Sequence, residues 1–327
     1  MRYLFFFLFI GTSLFSGAKT GEIKPQSFQE VWAYVMKGEE SSLQPEKPVT
    51  DVAYFSLRIN DIGRITSKIN PGTIRKNAPQ NARIHLVISA PANRSLMYWC
   101  LGTDPIAKKE LIQDIVRASK PFDGVQIDFE GIRKEDGDLY CTFLKDLRKE
   151  LPSGQVFSVA VPARVREMKD AFPYQKISQI ADRVIVMAYD EHWRTGSPGS
   201  IASPKWCSRV CAYAKQTIPK EKLIMGIPLY GRVWQKEPVA RALKYFQTLD
   251  LWKEVGTLVK REDDGTPTFA FEKTIEAVVY YEDFHTLSKK LALYSHEKVE
   301  GVALWRLSQE PAALWNSLEI SSAKNKN

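Results

Sequence analysis

The stretch Asp123-Gly124-Val125-Gln126-Ile127-Asp128-Phe129-Glu130-Gly131 sets two carboxylates two residues apart at the end of an apolar alternation. Val125, Ile127 and Phe129 alternate with Gln126, Asp128 and Glu130. That is the period of a β-strand, so the amide and both acids share one face. Two such carboxylates lie roughly 6.6 Å apart along a strand, close enough for their ionisations to be coupled, which makes them candidates for proton transfer. A half-exposed strand of an antiparallel sheet could show the same alternation with its polar side in water. Position separates the two readings. The acids stand at the C-terminal end, just before a glycine and a charged loop, and that is where barrels of parallel strands place their chemistry.

Positioning such a ladder takes a set of parallel strands, and the rest of the chain supplies candidates. Apolar runs with strand character occur at 30–36, 50–57, 83–89, 155–162, 182–190, 223–230 and 299–305. Several are apolar through the middle, as strands buried on both faces are. Helical signals fall between them. Asp104-Pro105 reads as an N-cap followed by proline at the first helical position, with Ile106, Leu111, Ile115 and Val116 at helical spacing up to Lys120-Pro121. Residues 138–151, 204–217 and 284–296 repeat the pattern, a short helix precedes the strand at 182, and a short last helix is expected at 311–318. Residues 233–275 break the rhythm and read as an insertion after the seventh strand. Eight strands separated mostly by helices predict an α/β fold, a (β/α)8 TIM barrel over 30–318, with no linker dividing it and no internal repeat.

The flanks and composition bound the setting. Residues 1–18 run from Arg2 through a Leu, Phe and Ile segment to Ser16-Gly17-Ala18, the pattern of a secretory signal peptide, with an uncleaved N-terminal anchor as the alternative. A polar lead-in follows at 19–29, and 319–327 is a polar tail. No later stretch is long enough for a membrane span. The formal net charge is +8, which favours anionic surfaces such as cell-wall polymers or marks only a soluble basic surface. Basic residues are not clustered with aromatics, so nucleic-acid binding has little support. Cys100, Cys141, Cys207 and Cys211 lack the spacing of a zinc site, and the four histidines are scattered. Neither metal nor cofactor is expected. Cys100 and Cys141 both fall near the face that carries the acids, so a disulfide between them and unpaired buried thiols are equal alternatives.

Four ordered stretches resemble one family. Residues 123–130 resemble the DGxDxDxE signature of glycoside hydrolase family 18, the chitinase-type family. Met187-Ala188-Tyr189-Asp190 is similar to its MxYD motif and Gly226 to Arg232 to its GxPxYGR segment. Trp305 stands where the family has its last-strand tryptophan, and 50–65 is similar to the second strand and the turn after it. The likeness covers roughly 30–318. One position departs: Gln126 replaces an Asp of the acid ladder. An amide there, with the stretches 267–272 and 278–283, resembles the spore-germination and cortex-lytic branch, which acts on peptidoglycan. That branch often carries LysM repeats, and none is read here.

The resemblance implies a secreted or cell-envelope glycosidase that cleaves β-1,4 linkages of N-acetylglucosamine-containing glycans, peptidoglycan first and chitin-type oligomers second. The substrate's own acetamide acts as nucleophile. Glu130 is then the general acid and later the base, Asp128 orients the acetamide and stabilises the positive intermediate, and Tyr189 holds the acetamide carbonyl. Gln126, Asp190, Trp305, Tyr230 and Arg232 are candidate substrate contacts. For Trp305 a core position is the alternative, and for Tyr230 and Arg232 it is shaping the loop after strand seven. Gln126 is expected to donate to Asp128 and keep it ionised over a wider pH range. A monomer is expected. The alternative from another class is a non-catalytic chitinase-like carbohydrate-binding protein, against which retention of Glu130, Asp128 and Tyr189 weighs.

Overall fold

The computed structural model describes residues 24–321 apart from 92, 236–243, 265 and 273. The expected signal peptide at 1–18 lies outside the described residues, as do the start of the lead-in and the end of the tail. Eight parallel strands close into a barrel: β1 (Glu30–Met36), β2 (Asp51–Arg58), β3 (Arg83–Ser89), β4 (Gly124–Asp128), β5 (Val156–Pro162), β6 (Arg183–Met187), β7 (Leu223–Pro228) and β8 (Gly301–Trp305). Strand β8 closes the ring by pairing with both β7 and β1. This is the expected TIM barrel. The helices that cross back over its outside are α1 (Gly72–Asn77), α2 (Pro105–Ser119), α3 (Gly137–Glu150), α4 (Tyr174–Ile180), α5 (Pro204–Thr217) and, after the insertion's α6 (Tyr245–Val255), α7 (Phe284–His296).

Strand alternation divides the core in two. Outward residues such as Val125, Ile127, Val184 and Val302 join the large layer between barrel and helices. Inward residues Trp32, Tyr34, Ala53, Val87, Ile185, Ile224 and Ala303 fill the barrel, with Phe55 and Trp305 packed at their edge. On α3 the buried positions Tyr140, Phe143, Leu144 and Leu147 follow helical spacing and hold Phe129, whose ring lies 6.2 Å from Tyr140 and 5.9 Å from Phe143. Full burial of such a ring contributes roughly 1.5–3 kcal/mol. Phe129 thus anchors the chain just past β4, between the two acids.

The N-terminal end of the barrel is closed by charge. Buried Asp51 accepts from Arg83 Nε (2.7 Å) and pairs with His85 Nε2 (2.7 Å). Glu30 accepts from Arg83 (3.0 Å) and Arg183 (2.6 Å). The ring of His85 packs on Trp32 at 4.3 Å. A Cβ at position 124 would stand 2.1 Å from His85 Nδ1, so the glycine that opens the acid ladder is required by the histidine beside it.

The elements differ from expectation in several places, among them the helices Gly72–Asn77 and Arg94–Tyr98, which no sequence signal marked. The sixth strand stops at Met187, and 188–190 leave the ladder with Asp190 at φ 61°. The lead-in contains a strand, Gln26–Phe28, paired in parallel with Leu318–Ile320, where the tail was expected to begin. Backbone pairing makes that edge, which a reading of side-chain polarity does not register. The last helix is a 3-10 segment, Ala312–Ser317. The insertion begins and ends in an antiparallel ribbon, Arg232–Gln235 with Ala277–Tyr280, and the expected closing stretch at 278–281 supplies most of its second strand. All four cysteines are buried free thiols, and the expected alternative of a Cys100–Cys141 disulfide is not formed.

Candidate active site

Asp128 is the last residue of β4 and Glu130 lies two residues beyond it, at the C-terminal mouth of the barrel. Glu130 reaches solvent, whereas Asp128 is 6% exposed. Oδ1 of Asp128 is buried without a hydrogen-bond partner. Burial, and then the charge of Glu130, pushes the Asp128 carboxyl up to about 7. Glu130 is raised too, by desolvation and then by the charge of Asp190. Both acids therefore hold protons more tightly than free carboxyls do.

Gln126, expected among the substrate contacts, lies one layer deeper. It is fully buried. Its Oε1 accepts from the Tyr34 hydroxyl (2.6 Å) and its Nε2 donates to Ser158 Oγ (3.2 Å). Ser158 stands opposite Gln126 in the β4–β5 register. The amide donates to Ser158, and among the described residues no hydrogen bond joins it to Asp128, which corrects the expectation that it keeps Asp128 ionised. Tyr34 and Ser158 were missed by the sequence reading. Their strands were recognised, but no local signal marks a pairing across the barrel.

The mouth holds a cleft of two lobes that meet at the acids. The first, of about 440 Å³, is lined by Tyr34, Asp128, Glu130, Tyr189, Trp305 and Arg232 among others, with Asp190 and Tyr230 at its wall. The structure brings Glu130, Asp128, Tyr189, Asp190, Trp305, Tyr230 and Arg232 together there, and Met187 as well. Tyr189 stacks on Trp305 at 6.4 Å with an interplanar angle of 20°. Edges of Tyr34 and Phe55 meet Trp305 at 5.1 and 5.5 Å. Trp305 is thus both packed below and open above. A Cβ at Gly226 would fall 3.0 Å from Tyr189 Cε1 and 2.7 Å from the Val186 carbonyl oxygen, so this glycine leaves room for the tyrosine ring.

Asp190 collects the other polar residues. It accepts hydrogen bonds from the Tyr230 hydroxyl and from Arg232 Nη2, the latter at 2.7 Å. Arg232 also reaches the His192 carbonyl oxygen at 3.5 Å. The left-handed backbone of Asp190 costs energy for a non-glycine residue, and its bonds to Tyr230 and Arg232 hold it. By contrast the Tyr189 hydroxyl and the carboxyls of Asp128 and Glu130 make no hydrogen bond among the described residues. Three polar groups without protein partners thus converge on one aromatic-floored lobe. A buried carboxyl left so is costly unless a ligand or a proton meets it. No group of three His, Cys, Asp or Glu side chains among the described residues could hold a metal ion.

Comparisons with known proteins bear on this geometry. Residues 30–310 match the profile of "Glycosyl hydrolases family 18". The chain is 30% identical over 230 residues to the uncharacterized glycosylase YvbX of Bacillus subtilis, covering 65% of each chain. It is 26% identical over 289 residues to the cortical fragment-lytic enzyme of Bacillus anthracis, covering 83% of this chain and 67% of the relative. It thus spans about two thirds of the length of these relatives. The fold is shared with the Bacillus cereus spore cortex-lytic enzyme SleL, with a TM-score of 0.71 at 22% identity over 90% of this chain and 76% of the other.

Proposed function

From the premise that the chain belongs to the glycosyl hydrolases of family 18, we propose that it hydrolyses β-1,4 bonds of N-acetylglucosamine in peptidoglycan, with chitin-type oligomers as second substrate. The observation that carries this is the convergence of Asp128, Glu130 and Tyr189, whose side chains make no hydrogen bond among the described residues, beside Trp305. The wall substrate draws support from relatives named cortical fragment-lytic enzymes and from Gln126 in the acid ladder. Export to the cell envelope and a monomeric state belong to the same proposal. Among the described residues no helix is long and apolar enough to cross a membrane.

The chemistry follows the substrate-assisted route. The reacting sugar lies on Trp305, with its acetamide between Asp128 and Tyr189. The Tyr189 hydroxyl donates to the acetamide carbonyl oxygen and fixes it for attack. That oxygen bonds to the anomeric carbon while Glu130 gives its proton to the glycosidic oxygen, the C–O bond breaks, and the leaving glycan departs. The resulting oxazolinium ion is positive. Asp128, a carboxylate when the reaction starts, accepts from the ion's N–H, and the positive charge stabilises that form. Glu130, now a carboxylate, takes a proton from water, which adds to the anomeric carbon from the side the leaving group vacated. The ring opens and configuration is retained. Because burial, and then the charge of Asp190, raises the Glu130 carboxyl, it keeps its proton to higher pH than a free carboxyl would.

The test is the Glu130→Gln variant on purified peptidoglycan and on chitin oligomers, with products read by mass spectrometry. Turnover is expected to vanish while the far-UV spectrum and melting temperature are kept. Residual hydrolysis near the wild-type rate would sink the assignment. Reducing ends carried by N-acetylglucosamine are the expected products.

A further inference from the structure

Asp128 and Glu130 also border a second lobe, of about 890 Å³, running out over the ends of β2 and β3. Tyr189 and Trp305 line the first lobe and not this one, so the reacting sugar of the proposed function belongs to the first. Glu130 protonates the bond's oxygen from the junction. The leaving glycan therefore occupies the second lobe. Apart from the two shared acids, the ionisable side chains that line it are Arg58 and Arg94.

Both arginines are exposed. Neither takes part in an ion pair or a hydrogen bond of its side chain among the described residues, in contrast to Arg64, Arg83 and Arg183, which are held by carboxylates. Arg58 is delivered by a β-bulge. The β2–β3 register passes from Phe55 opposite Val87 directly to Leu57 opposite Ile88, leaving Ser56 extra. Phe55 points into the barrel. Without the bulge Leu57 would do the same; with it Leu57 joins the outer core, and Arg58 becomes the next residue over the cleft. Arg94 begins the short helix Arg94–Tyr98, whose start is fixed by Asn93 Oδ1 accepting from the Leu96 N–H at 3.1 Å. Trp193, 61% exposed, supplies an aromatic face in the same lobe.

We propose that Arg58 and Arg94 form a subsite for a carboxylate on the leaving glycan, so that the bond cut preferentially joins N-acetylglucosamine on the reacting side to an acidic N-acetylated sugar on the leaving side. This rests on the glycosidase reading above and adds to it the two side chains that read the charge on the leaving side. Two cations in the same lobe offset the repulsion that Asp128 and Glu130 exert on an anionic chain, and their forked donors fit a carboxylate in two-point contact. The carboxylate has two sources in a cell-wall glycan: the lactyl ether of muramic acid, or a peptide attached there.

The experiment compares three soluble oligomers with the same sugars: free lactyl carboxylate, lactyl carboxamide, and lactyl-linked peptide. Binding by calorimetry and kcat/KM are measured for the wild type, Arg58→Gln, Arg94→Gln and the double variant. The wild type is expected to prefer a charged oligomer over the carboxamide by about tenfold, and the preference to shrink at high salt. It falls in each single variant and disappears in the double variant, while kcat/KM on the carboxamide stays within about twofold. Whether the lactyl or the peptide oligomer is preferred names the source. Equal affinity for all three, or a preference that survives in the double variant, overturns the subsite. Loss of binding to every oligomer in the double variant assigns the arginines a structural role and overturns it too. A wild type that binds with this preference yet cuts nothing refutes the glycosidase reading and leaves the subsite standing.

Discussion

Replacing Asp128 by Asn should make the protein more stable, and by an amount that depends on pH. In the folded chain the Asp128 carboxyl is raised from an ordinary 3.8 to about 7, chiefly by burial. Each pH unit between these values is worth about 1.4 kcal/mol, so the charged form is disfavoured in the fold by about 4 kcal/mol as an upper bound. The sign follows from proton linkage. A raised acid binds more protons folded than unfolded, so its contribution is intact below 3.8 and is lost as pH rises through about 7. Asn is neutral and close in shape, so it escapes that loss. Urea unfolding of both proteins at a series of pH values should show a gap that widens from about pH 4 to about pH 8, where the variant leads by about 2–4 kcal/mol. The same variant should lose turnover, since nothing is left to balance the oxazolinium charge. A stability gap of the same size at both ends of the series would refute the reasoning.

Other expectations follow from the same geometry. Gln126→Asp adds a second ionisable group beneath Asp128, which raises the Asp128 carboxyl further; the acidic limb of the pH–rate profile should move to higher pH, and an unmoved limb contradicts this. Tyr34→Phe strips the buried Gln126 Oε1 of its 2.6 Å donor and should cost about 1–3 kcal/mol in chemical denaturation. Arg232→Met frees the charge of Asp190, which already raises Glu130; the basic limb of kcat/KM should shift upward, and a profile displaced in height alone counts against that coupling.

The barrel was legible because its strands are apolar, separated by capped helices, and ended by acids. Glu130, Asp128 and Tyr189 were legible because strand periodicity and order along the chain place them at the same mouth. The environment of Gln126 was not. Its partners are 92 and 32 residues away, and only closure of the barrel brings Tyr34 across to it. The roles of Tyr230 and Arg232 were half legible: both reach the cleft, yet each is committed to Asp190. Arg58 drew no notice because alternation alone leaves its facing undefined until the bulge at Ser56 is seen. The pairing of the ribbon that opens and closes the insertion was hidden for a similar reason, since its two strands are far apart in the chain.

The charged cluster that closes the N-terminal end of the barrel answers acid in the opposite sense to the mouth. Asp51 and Glu30 are held below the ordinary carboxylate range, although burial opposes it, by their bonds to His85, Arg83 and Arg183. Their contribution is present above the unfolded values and is lost as pH falls through the folded ones. Acidification therefore loosens the floor of the molecule while it relieves the rim. The two ends act as separate governors: the base bears on the lowest pH at which the barrel persists, and under the proposed mechanism Glu130 at the mouth sets the highest pH at which a proton can be donated. Substitutions in the base should therefore move the acid-unfolding boundary and leave the pH dependence of turnover, which the mouth governs, in place.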